Sequence, residues 1–283
     1  MQGLTRLLKK HYFLIPIDLL FAGYLLLISI LTFIFQKNLN NWFAFISIHL
    51  GILTLSYFFI KKTHYSKNSL IKIIRNFYPL LLLLLLVKEL TYFKLLVYPD
   101  WFDIYLIDFE MNIYNQHPTL LLQKIISIPL TFLTNLSSIF SFGMLLFPLI
   151  YFYKTGRQKL FNEFLESNSL TIFLYLLICI FVPIHGSKNE LAVYYTSNIP
   201  TFLNFAGLIY LPLAITITSW RILNKYFRKL SYILIPFLLL VAFSGLYLRE
   251  TYITGLIVTI ITCWLALYLR DLYNEYFNAR RKF

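Results

Sequence analysis

Tyr78 to Val97 reads YPLLLLLLLVKELTYFKLLV, a stretch in which only Lys88, Glu89 and Lys94 carry charge. A hydrocarbon core about 30 Å thick needs about 20 mostly apolar residues in helical form, so this stretch predicts a membrane span. The same requirement is met at about Phe13 to Phe35, Trp42 to Ile60, Pro129 to Phe152, Leu170 to Ile184, Phe202 to Ser219, Leu230 to Leu248 and Tyr252 to Leu269. Backbone amides in lipid must bond within their own segment, and strand-like alternation is weak, so these spans are expected to be helices. The fold class that follows is all-α, a polytopic membrane bundle of about eight transmembrane helices.

Composition agrees with that reading. The 283 residues are 59% hydrophobic and 13% charged, whereas soluble domains run at about 45 to 50% apolar and about 25% charged. A net charge of +13 would suit a nucleic-acid partner if the basic residues shared one face. Instead they fall in bursts between spans: Arg6, Lys9 and Lys10; Lys61, Lys62, Lys67, Lys72 and Arg75; Lys154, Arg157 and Lys159; Arg221, Lys225, Arg228 and Lys229; Arg270, Arg280, Arg281 and Lys282. Alternate connections rich in Lys and Arg stay on the cytoplasmic side. Both termini are therefore expected in the cytoplasm of a multi-pass protein of a bacterial inner membrane or a plasma membrane, with membrane lipids rather than nucleic acid as partners. A membrane-protein partner and the oligomeric state stay open. The first apolar stretch lacks a small-residue cleavage site and is long for a signal peptide, so it reads as a retained span.

The opposite connections hold only Lys37, Lys124, Lys188 and Arg249 as cations, and one of them is acidic. That segment, PDWFDIYLIDFEMNIYNQHPTLLLQK from Pro99 to Lys124, alternates aromatics with Asp103, Asp108 and Glu110. The pattern suits an amphipathic helix in the interface; two carboxylates there could instead hold a divalent cation or act as an acid and base. Within the spans, Asp18, His49, Lys88, Glu89 and Lys94 are costly at membrane depth and so are functional candidates. Asp18 and Lys94 lie near span ends and are expected to reach water. Lys88 and Glu89 point about 100° apart on a helix, so one of them is expected to face a protein partner or an internal cavity. His49 reads as a hydrogen-bonded interhelical residue. Cys179 and Cys263 lie inside spans as small apolar groups, and no metal-ligand spacing or cofactor motif occurs.

The series Asp103, Leu106, Glu110, Ile113-Tyr114-Asn115 and Pro118 resembles the D, L, D, L-F-G, P signature of the inositolphosphotransferase branch of the type 2 phosphatidic-acid phosphatase superfamily. Further on, Phe181-Val182-Pro183-Ile184-His185-Gly186-Ser187-Lys188 stands where that family has its first phosphate-binding motif. Ile199-Pro200-Thr201-Phe202-Leu203 resembles the second motif, P-S-x-H, and Ser244 to Gly255 lies over the third, S-R-x5-H-x3-D. The resemblance covers about residues 78 to 269 and implies a six-helix core over 77–269, with two extra spans in 1–76, the interfacial segment at 100–124 and a basic tail at 270–283.

In that family a third-motif histidine attacks phosphorus, an aspartate orients it, an arginine clamps phosphate oxygens and a second-motif histidine protonates the leaving group. The corresponding positions here are Thr251, Gly255, Gly245 and Leu203. None of these side chains can perform the required step: a nucleophile needs an adjacent base, and developing charge needs fixed cations. A shift of one residue would bring Asn204 to the acid position. The resemblance thus implies a membrane protein without the standard catalytic set, requiring no metal. It would bind the phosphate of a phospholipid or polyprenyl phosphate through Lys188, Arg249, Ser244 and Asn204, or act as a partner protein. Two alternatives remain: an active phosphoric-ester hydrolase or phosphoalcohol transferase with a rearranged site, His185 being the possible substitute nucleophile, and a transporter or flippase using Asp18, Lys88 and Glu89.

Overall fold

The computed structural model describes residues 15–64, 68–184, 186 and 210–281. Among them the ordered elements are helical, and they form two compact units, Met1–Val97 and Tyr98–Phe283.

The first unit holds α1 (Pro16–Ile34), α2 (Trp42–His64) and α3 (Ser69–Phe93), which pack on one another. Pro16 occupies the first turn of α1, where a missing N–H is harmless, and Asp18 closes that turn by accepting the Ile15 amide at 2.9 Å. Asn68 caps α3 by accepting the Leu70 amide at 2.9 Å. α3 begins well before the expected Tyr78, because Pro79 is carried inside the helix rather than opening it. Asp18 does not reach water as expected: it is buried and bound by the Arg75 guanidinium and the Tyr78 hydroxyl. Nearer the other end of this unit, Glu89 rather than Lys88 makes the interhelical contact. It meets Nε2 of the fully buried His49 at 2.8 Å, and Nδ1 of His49 lies 3.1 Å from the Ser29 hydroxyl.

The second unit contains α4 (Asp103–Tyr114), a single turn at Pro118–Leu121 running into a 3-10 turn at Leu122–Ile125, and then α5 (Ile128–Lys154), α6 (Gln158–Phe181), α7 (Leu211–Tyr226), α8 (Arg228–Tyr247) and α9 (Ile253–Arg281). α7 is the hub, packing against α5, α6, α8 and α9. Its sequence permits this because the small and hydroxyl residues Ala214, Thr216, Thr218 and Ser219 bring neighbouring backbones close, and Thr218 and Ser219 hydrogen-bond across the interface. Thr218 meets Thr171 of α6 at 3.0 Å, and Ser219 donates to Asn168 at 3.3 Å. The same demand explains why α6 starts at Gln158 instead of the expected Leu170. Ser167, Asn168 and Ser169 precede the expected start, yet they are buried inside the bundle together with Thr171.

Seven of the described helices, α1, α2, α3, α5, α6, α8 and α9, are long and apolar enough to cross a membrane. The chain is an integral multi-pass membrane protein. The expected span Phe202–Ser219 lies partly outside the described residues, with α7 covering its second half.

Candidate functional site

The polar groups of the second unit concentrate where α8 ends and α9 begins. α4 reaches this junction with one stripe. Asp103, Leu106, Ile107 and Glu110 recur at the i, i+3, i+4, i+7 spacing that puts them on one face. Leu106 and Ile107 pack around Ile184 and Tyr252. Tyr105 and Phe109 point outward. Thus the helix expected from the sequence exists, with Asp103 and Glu110 turned inward and Asp108 exposed. Asp103 accepts the Gly186 amide at 2.9 Å and the Tyr252 hydroxyl at 2.8 Å. Glu110 accepts both the amide and the hydroxyl of Thr254, at 2.9 and 3.1 Å. Thr254 is in the first turn of α9, so Glu110 acts as that helix's N-terminal cap from a distant part of the chain, where a carboxylate also meets the positive end of the helix dipole. The two carboxylates serve separate partners, and among the described residues no group of three or more His, Cys, Asp or Glu gathers to hold a metal.

α8 closes with a Schellman motif. The Glu250 amide bonds the Gly245 carbonyl at 3.0 Å and the Arg249 amide bonds the Leu246 carbonyl at 3.1 Å, the 6→1 and 5→2 pair that defines this ending. The motif requires a left-handed residue, and here that residue is Arg249 at φ +59. A side-chain-bearing residue held there costs about 1 to 2 kcal/mol. Arg249 is only 5% exposed. Burial pushes its guanidinium below the usual arginine range.

Directly inside the junction, Tyr210, the residue that opens α7, fills the space beside Gly245. A methyl group added at Gly245 would lie 2.8 Å from Cδ1 of the Tyr210 ring and 3.1 Å from Cγ2 of Thr251. The Tyr210 hydroxyl sits 2.6 Å from Ser138 of α5 and 3.0 Å from Ser244, and the two serines are 3.2 Å apart. Its amide bonds Thr259 at 2.9 Å. Ser244 is therefore held in a buried group of hydroxyls that also faces the buried Glu250 carboxylate. Thr251 is buried and faces Gly245, and the Gly255 carbonyl accepts the Thr259 hydroxyl at 2.7 Å.

Of the site residues expected from the sequence, Ser244, Gly245, Arg249, Thr251 and Gly255 share this junction. His185, Lys188, Thr201, Leu203 and Asn204 lie outside the described residues. Tyr210, Ser138 and Tyr252 are central but carried no prior signal, since aromatics and serines are abundant in every span. Chemically, the described part of the site offers neutral hydroxyls, the buried carboxylates of Asp103, Glu110 and Glu250, and the buried guanidinium of Arg249.

The opposite end of the second unit carries its own charged cluster. Glu163 accepts from Lys225 at 2.9 Å, Tyr226 at 2.5 Å and Arg270 at 3.3 Å, while Arg270 also donates to Ser167 at 2.7 Å. The Glu163 hydrogen bond raises the Lys225 ammonium above its ordinary value. A cleft of about 470 Å³ opens beside it, and on its wall the Arg221 guanidinium lies 5.0 Å from the centre of the Trp264 ring.

Compared with known proteins, the chain matches no family model, no curated protein and no solved structure.

Proposed function

We propose that this membrane protein has a helical core like that of the type 2 phosphatidic-acid phosphatases, has lost the phosphoryl-transfer residues, and binds a phosphate-bearing lipid headgroup at its outer face without cleaving it. The observation that carries the reading is Arg249, a buried guanidinium kept at a strained left-handed position where glycine would relieve the backbone. Strain of this kind persists where a side chain has a task. A planar, permanently charged fork suits phosphate oxygens better than any other side chain.

Two further observations support the resemblance. Asp103, Leu106 and Glu110, the spaced residues of the signature, form the inward stripe of α4. Where the signature has glycine, α4 ends at Asn115 with φ +57, a left-handed position that asparagine tolerates nearly as well as glycine. Loss of catalysis is supported at Gly245, where the Tyr210 ring and the Thr251 methyl take up the volume a clamping arginine would need.

The test uses purified protein in nanodiscs. Phosphatidic acid or a polyprenyl phosphate should bind at least ten-fold more tightly than phosphatidylcholine, Arg249→Ala should abolish that preference, and no phosphate should be released. Phosphate release or headgroup transfer lost in Thr251→Ala or His185→Ala would replace this reading with an active enzyme. Equal binding of all lipids by wild type and Arg249→Ala would remove the headgroup role.

A further inference from the structure

The first unit contains a polar site unrelated to the α8–α9 junction, and its hydrogen bonds can be counted proton by proton. The Ser29 hydroxyl donates to the Leu25 carbonyl at 2.7 Å. A carbonyl has no proton to give, so the single hydroxyl proton of Ser29 is committed to that bond. The serine oxygen that faces Nδ1 of His49 at 3.1 Å is therefore an acceptor, and Nδ1 must carry a proton. A neutral imidazole has only one N–H. Its other nitrogen, Nε2, would then present a lone pair to Oε1 of Glu89 at 2.8 Å. Two lone pairs at that distance repel. The contact must hold one more proton, either on Nε2, giving an imidazolium beside a carboxylate, or on Oε1, giving an imidazole beside a carboxylic acid.

We propose that Ser29, His49 and Glu89 form a proton-binding site within the membrane, in which one exchangeable proton is held between His49 Nε2 and Glu89 Oε1. Both placements of that proton leave the pair with no net charge, which is the condition a low-dielectric interior imposes. Its depth fits: at 1.5 Å per residue His49 lies about 10 Å along α2 from Trp42, and Glu89 about 6 Å from the end of α3 at Phe93. Access is one-sided. His49 is fully enclosed, with the Phe93 ring 6.0 Å from its own, whereas the Glu89 side chain is 18% exposed and borders a cleft of about 250 Å³. Lys88 and Tyr92 of α3 line the same cleft. Other ionisable groups among the described residues of the three packed helices, Tyr24 of α1, Tyr57 of α2, Lys94 at the end of α3 and the Asp18, Arg75 and Tyr78 set, stand on other turns. Uptake forms an N–H or O–H bond at the pair with a proton arriving on the exposed Glu89 side, and release returns that proton the same way, leaving Nε2 and a carboxylate that no longer attract. Loss of the proton removes the His49–Glu89 hydrogen bond, a polar link between α2 and α3.

The test is solid-state NMR of the full chain in lipid vesicles with ¹⁵N-labelled histidine, assigning His49 by the signal lost in His49→Gln or by replacing the other histidines in turn. At neutral pH the wild type should show Nδ1 protonated, and alkaline pH should shift the Nε2 resonance toward the bare-nitrogen position. Glu89→Gln supplies a fixed N–H donor to Nε2, so in it His49 should keep an Nδ1–H tautomer that no longer responds to alkaline pH. A wild-type His49 with Nε2 protonated and Nδ1 bare, beside a Glu89 absorbing in the infrared as carboxylate, would overturn the proposal. So would an alkaline response identical in wild type and Glu89→Gln.

Discussion

Gly156 and Arg249 occupy the same backbone position in two copies of one helix ending. After α5, the Arg157 amide bonds the Phe152 carbonyl at 2.9 Å and the Gly156 amide bonds the Tyr153 carbonyl at 3.1 Å, with Gly156 at φ +69. After α8 the same pair of bonds closes around Arg249 at φ +59. One ending uses the residue without a Cβ and the other holds a buried guanidinium against backbone strain.

The first prediction follows from that comparison. Arg249→Gly should relieve the backbone by about 1 kcal/mol, so thermal stability in detergent should hold or rise while anionic-lipid preference is lost. Gly156→Ala should fall by about 1 to 2 kcal/mol, with no steric contribution, because an added Cβ there meets nothing within 4 Å. A destabilised Arg249→Gly would mean that the side chain's packing outweighs the strain.

Gly245 and Tyr210 should be energetically coupled. Gly245→Ala forces a methyl to 2.8 Å from the Tyr210 ring and should destabilise by about 1 to 3 kcal/mol. In a Tyr210→Leu background the penalty should shrink, and a double-mutant cycle on thermal unfolding measures the difference. Additive effects would separate the two positions.

Glu110 should matter as an acceptor rather than as a charge. Glu110→Gln keeps an oxygen for the Thr254 amide and should cost less than about 1 kcal/mol, whereas Glu110→Ala leaves the first turn of α9 uncapped, at about 1 to 2 kcal/mol. Hydrogen exchange of the amides from Ile253 to Leu256 should speed up in the alanine variant only.

Glu163→Gln removes the carboxylate shared by Lys225 and the nearly buried Arg270. The resulting loss should be roughly 2 kcal/mol, below the 3 to 5 kcal/mol of a fully enclosed pair because Lys225 is well exposed. Tyr226→Phe removes only the neutral hydroxyl donor to Glu163 and should have a smaller effect, about 1 kcal/mol. Thermal unfolding of the two variants side by side checks the order.

The membrane class and most of the span positions were legible in the linear order of residues, because insertion responds to the summed transfer free energy of about 20 consecutive residues. Local polarity misled where packing reversed it. The stretch from Asn162 to Ser169 precedes the expected start at Leu170, yet much of it is buried within α6, with Glu163, Ser167 and Asn168 hydrogen-bonded to their own helix or to neighbouring helices. Asp103 and Glu110 read as the wet face of an interfacial helix, because an ionisable side chain is normally kept in water. Their partners, Gly186, Tyr252 and Thr254, lie far along the chain, and only their approach makes burial tolerable.

Alone, the sequence determined that this chain crosses a membrane repeatedly as helices. Only the tertiary structure decided that Glu89 and not Lys88 meets His49, that Asp103 and Glu110 of α4 turn inward, and that Tyr210 fills the space beside Gly245. The physical reason is directional. Hydropathy measures how much of a segment prefers lipid, which is a property of composition, while the face each side chain presents depends on donors and volumes supplied by helices distant in sequence.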